Sequence, residues 1–175
     1  MLLVPAAYAP RPAGAPVRAS RATMFLLDTA LRSDFLFWAA RHVAPRAFIR
    51  SILGTPPEVV AHASPEEQAR VQTVLDRILP VSPRRAGLVN DAKVVSSLPR
   101  YDLEKIAAPT LALSTADDLY GTFPGARYTA EHVPHARFVG YPSGGHMLVG
   151  RDAAAAAEIV AFLRSAPGAL SLYMQ

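Results

Sequence analysis

From Pro109 onward the chain alternates apolar run, helix, apolar run, helix: "TLALS", "TFPGARYTAEHV", "ARFVGY" and "DAAAAAEIVAFLRS", the last helix reading as capped by Asp152. Alternation of this kind builds parallel strands covered by helices. One earlier stretch, "LLVPAAY" at residues 2–8, reads as a buried strand, so the chain supplies three strands at most. A three-stranded parallel sheet has two long edges and little area with which to shield both faces. The expectation is an α/β arrangement whose sheet is incomplete by itself.

Between the first strand and Pro109 the texture is helical. The proline-spaced "APRPAGAPVRA" cannot sustain a helix or a central strand and reads as a loop. From about Thr23 to Ile52 apolar residues recur at helical spacing, with Pro45 marking a break between two helices. Phe35, Phe37 and Trp38 cluster in this stretch and read as core. "SPEEQARVQTVLDRILP" offers Ser64 as N-cap, a proline at the first helical position, Glu67 three residues after the cap, and Pro80 as a stop. "SPRRAGLVNDAKVVSSL" predicts a further helix, and "PRYDLEKIAAP" a polar, proline-bounded connector.

Composition narrows the classes. With 51% hydrophobic and 18% charged residues the chain has ample material for a core. It contains no cysteine, which excludes disulfides, thiolate metal sites and a cysteine nucleophile, and fits a reducing cytoplasm. The opening "MLLVPAAYAP" is too short and too proline-rich for a signal peptide or a span, so a soluble cytoplasmic protein without membrane attachment is expected. The net charge of +4 comes from scattered arginines without a dense basic run, which argues for solvated faces and against a nucleic-acid partner.

Chemistry in open parallel sheets gathers at the carboxyl ends of strands. Two such ends carry polar groups: "TADDLYGT" after the first apolar run, and "PSGGHM" after the second. A carboxylate accepting the Nδ1 hydrogen of an imidazole fixes its tautomer and leaves Nε2 free to take a proton. Gly144 and Gly145 would let the loop turn tightly and bring His146 over the strand ends. Taken singly, the bland readings are a solvent-facing histidine and an Asx-turn carboxylate. Ser143, Ser114, Ser96 and Ser97 read as loop, strand-end and helix residues, not as nucleophiles. His132 and His135 are separated by a helix-breaking proline and make a poor metal pair, while His42 and His62 read as surface or half-buried residues.

The ordered set "APTLALSTADDLYGTFPGARYTAEHVPHARFVGYPSGGHML…EIVAFL", over residues 107 to 164, resembles the C-terminal end of the α/β-hydrolase family. The resemblance implies an incomplete α/β-hydrolase fold: residues 1–22 as a core strand and linker, 23–100 as a helical cap, and 101–175 as the C-terminal core. It makes His146 the catalytic histidine and Asp118 the orienting acid, with Asp117 in reserve. No acid follows the first strand in "VPAAYAP", so the family's alternative acid position is empty. The family's nucleophile elbow, G-x-S-x-G, does not occur.

A C-terminal portion of a serine hydrolase for ester-like substrates is therefore expected, inactive alone, from a truncated gene, a misplaced start or a deliberate split. It implies no cofactor and no metal. The alternative is a non-enzymatic assembly module whose sheet edge pairs with a complementary hydrolase half or, as a homo-oligomer, with a second copy.

Overall fold

The computed structural model describes residues 2, 3, 5, 7–10, 29, 31–95 and 97–165. Its centre is a parallel sheet of three strands, β1 (Leu2–Leu3), β2 (Leu111–Thr115) and β3 (Arg137–Tyr141), in the order β1-β2-β3. Strand β2 is buried along its whole length, as a central strand covered on both faces must be, which is why it reads as an unbroken apolar run. The register sets Thr115 opposite Tyr141, so the loops that leave β2 and β3 emerge at the same end of the sheet.

Helix α6 (Thr122–His132) lies between β2 and β3 in the chain, and α7 (Asp152–Ser165) comes after the β3 loop. Leu111 and Leu113 pack with Ala155, Ile159 and Phe162 of α7. Ser114, whose side chain points to the opposite face, meets Thr122 of α6. Asp152 is the first helical residue of α7, where its charge favours the helix N-terminus, and is not the residue before it.

A helical layer precedes β2: α1 (Asp34–Val43), α2 (Pro45–Ile52), α3 (Pro57–Ala61), α4 (Pro65–Arg77) and α5 (Arg85–Val95). Pro45 opens α2 as expected for a residue that cannot continue α1. Ser64 caps α4 by accepting the Glu67 amide at 3.3 Å. Glu67 does not complete a capping box: its carboxylate takes the Arg70 guanidinium and the Gly150 amide, tying α4 to the loop after β3. Leu53, Val60, Val71, Leu75 and Val149 form the core beneath this layer.

Three expectations need correction. Among the described residues of 2–8, the strand is confined to Leu2–Leu3; Pro5 lacks the amide hydrogen a ladder needs, and residues 5 and 7–10 run on as irregular chain. Of the aromatic cluster only Phe37 is core, whereas Phe35 and Trp38 are 70% and 45% exposed because α1 carries apolar residues on both faces. The expected helix over 82–98 is a 3-10 turn at Ser82–Arg84 leading into α5. The connector contains a second such turn, Leu103–Lys105, with Leu103 buried. The part of the predicted first helix at residues 23–28, and Ser96, lie outside the described residues. No helix among the described residues is long and apolar enough to cross a membrane.

Candidate functional site

The loops after β2 and β3 meet at the end of the sheet. His146 Nδ1 lies 2.9 Å from Asp118 Oδ2. A carboxylate can only accept, so Nδ1 carries the proton and Nε2 is the basic nitrogen. Asp118 Oδ1 accepts the Tyr120 amide at 2.8 Å, an Asx turn made by the same side chain. The turn and the histidine partnership thus use different oxygens of one carboxylate.

Asp118 Oδ2 also accepts the Thr122 hydroxyl. With its hydrogen spent there, Thr122 Oγ1 accepts from Ser114 Oγ at 2.9 Å. A hydrogen-bonded line therefore runs from Ser114 through Thr122 and Asp118 to His146. The Asp118 side chain is fully buried, while that of His146 is 29% exposed. Burial alone would lift the Asp118 carboxyl, but the bonds from His146, Thr122 and the Tyr120 amide, with the nearby imidazole, hold it below its ordinary value.

Asp117 faces the other way. Its carboxylate accepts the Gly145 amide at 2.8 Å and the Gly144 amide at 3.2 Å, so it pins the turn that delivers His146. Gly145 sits at φ +60°, a conformation that favours glycine, and its carbonyl accepts the Thr115 hydroxyl at 2.9 Å. Just beyond, Leu148 enters the core against α7 and Val149 the core of the helical layer.

His146 opens onto a cleft of about 950 Å³. It is lined by Pro5 and residues 7–10, by Ala92 and Val95 of α5 with Leu98, and by Tyr120, Thr122 and Pro124 together with the histidine. The lining is mainly apolar, and Asp91 of α5 contributes a carboxylate. His146 Nε2 makes no hydrogen bond to a described residue.

None of the described serines considered from sequence lies on that nitrogen. Ser143 is held by Arg151 at 3.2 Å, Ser114 is spent on Thr122, and Ser97 bonds the Lys93 carbonyl. His132 stacks on Tyr128 with ring centroids 3.9 Å apart, and His135 occupies a left-handed conformation past the helix end. His42 and His62 are exposed and bond carbonyls of their own helices. Among the described residues no group of histidines and carboxylates could hold a metal ion.

Sequence reasoning missed Thr122, Tyr120, Gly54 and Thr55. Thr122 had a local signal, four positions after Asp118 at a helix start; the other three had none. No family model, curated protein or solved structure matches the chain.

Proposed function

We propose that this chain carries the acid and histidine of a serine hydrolase of the α/β-hydrolase type, an incomplete form of that fold with residues 23–100 as its cap. The reading is carried by one observation: a buried carboxylate, also held by the Tyr120 amide and the Thr122 hydroxyl, orients through Nδ1 a partly exposed imidazole that lines a mainly apolar cleft. The order of acid before histidine after successive parallel strands supports it, as does the resemblance over residues 107 to 164.

In the complete enzyme a serine from polypeptide outside this chain attacks the carbonyl of an ester or related substrate. His146 Nε2 takes the hydroxyl proton as the oxygen–carbon bond forms, and Asp118 stabilises the imidazolium. The proton then passes to the departing alkoxide, and water repeats the sequence on the acyl-enzyme. Oxyanion donors also come from outside the chain. The apolar lining suits an acyl or alkyl group, and Asp91 disfavours anionic substrates.

The test is to translate the genomic frame upstream of Met1 and express the extended or complemented protein with a fluorophosphonate probe. Labelling that requires the extension and falls at least a thousandfold with His146→Ala, the order seen when a triad member is lost, is expected. Labelling indifferent to His146, or a lone chain that hydrolyses nitrophenyl esters through His146, would overturn the proposal.

A second reading, an assembly module without catalysis, is favoured by the outward face of α1. Phe35, Leu36, Trp38 and Val43 are all exposed there, and β1 and β3 both stand at sheet edges.

A further inference from the structure

We infer that the turn Ile52, Leu53, Gly54 and Thr55, where α2 ends, is a positioning element for the Asp118–His146 pair, acting through the side chain of its own Thr55 and through Tyr120, which reaches it from the acid loop. Its value to catalysis rests on the hydrolase reading; the geometry it invokes does not.

The two loops that meet in the pair come from different strands, and their partners lie 28 positions apart. One carbonyl joins them from above. Gly54 O accepts the Leu119 amide at 2.9 Å, immediately after Asp118, and the His146 amide at 3.2 Å. Thr55 extends the joint: its buried hydroxyl donates to Leu53 O at 2.9 Å and accepts the Met147 amide at 3.1 Å. The backbone on both sides of the pair is therefore held by one turn of the helical layer.

Tyr120 closes the arrangement from the acid loop. Its amide holds Asp118 Oδ1, its ring stands edge-on to the His146 ring at 4.7 Å and 75°, and its hydroxyl donates to Ile52 O at 2.7 Å. Acid, base and turn all touch this one residue.

The contacts leave no slack. A Cβ at Gly54, where φ is +55°, would stand 2.7 Å from the Tyr120 ring, and one at Gly145 would stand 2.5 Å from Thr55 Cγ2. A shift of the Ile52 to Thr55 turn must therefore move both partners or break these bonds.

The experiment uses the chain as it is, with nitrogen-15 histidine. The His146 Nδ1 proton should be observable and dependent on Asp118. Thr55→Val removes the acceptor for Met147 while keeping the shape, and Tyr120→Phe removes only the hydroxyl. Each should speed exchange of that proton with water about tenfold, the order one lost hydrogen bond supports, and mix the tautomers. Thr55→Ser should restore the wild-type signal, and Thr73→Val, which deletes a comparable hydroxyl bond on α4, should leave it unchanged.

If Thr55→Val does not fold, Tyr120→Phe alone decides. A wild-type signal that survives both substitutions overturns the inference and leaves the hydrolase reading standing. A wild-type spectrum with no Asp118-dependent proton overturns the pair and the inference with it. Catalysis indifferent to His146 in the extended protein, beside the expected spectra, defeats only the hydrolase reading.

Discussion

Asp117 and Asp118 leave β2 side by side, and the two carboxylates do different work. Asp117 holds two amides of the glycine turn, while Asp118 is buried against Thr122 and the imidazole. Replacing each by asparagine separates the roles. Asp118→Asn gives Nδ1 an amide that can offer the wrong hydrogen-bonding partner, so in the complete enzyme kcat should fall by about 10³ to 10⁴. Asp117→Asn should mainly cost stability, about 1–3 kcal/mol for weakened charge-assisted bonds to buried amides, measured by urea unfolding. Acid resolves the first case further. The folded carboxyl of Asp118 lies below its ordinary value, so its stabilisation is complete above the unfolded value of about 3.9 and is lost as pH falls through the folded one. Urea midpoints of the wild type and Asp118→Asn should therefore differ at pH 7 and converge towards pH 3.

The histidine loop is anchored by two residues just beyond the imidazole. Leu148 and Val149, adjacent in the chain, insert into two different cores, so the loop cannot shift without opening both. Glycine substitutions expose how tightly it is held. Gly145→Ala forces an L residue into φ +60° against Thr55 and should lower stability by at least about 1–2 kcal/mol from the backbone alone. Gly87→Ala, in α5 with nothing within 4 Å of the added carbon, should raise it by about 0.4–1 kcal/mol. Thermal melts of the two variants check both signs. The same contrast explains what was legible beforehand. Strand β2 announces itself because burial on both faces demands an unbroken apolar run, and α4 because Ser64 accepts one of its open amides and Pro65, which has no N–H, removes another. The meeting of the acid and histidine loops was legible because two parallel strands share an end. Gly54, Thr55 and Tyr120 could not be read, because Thr55 meets Met147 across 92 positions and Tyr120 meets Ile52 across 68, which no local pattern records. Phe35 and Trp38 were misjudged for a related reason: hydrophobicity marks what could be buried, and only a packing partner decides which face is.

The helical layer exposes apolar surface on two of its helices. Phe35 and Val43 on α1 are 70% and 86% exposed, and no residue of α5 is buried although it carries Leu88, Val89, Val94 and Val95. The two proposals assign this surface differently. As a catalytic portion, the chain needs its complement for chemistry, and the outside of α1 has no required partner. As an assembly module, α1 itself is the contact. Sedimentation equilibrium distinguishes them when combined with esterase assays on the same samples. The assembly reading expects a mass that climbs above 18.7 kDa with concentration and returns towards it when Phe35 and Trp38 are both replaced by serine. Folding should survive that pair of changes, since both side chains already face solvent and surface substitutions usually fall within about 0.5 kcal/mol. A mass of 18.7 kDa at every concentration removes self-association through α1 and leaves the esterase assays on the same samples to decide the hydrolase proposal.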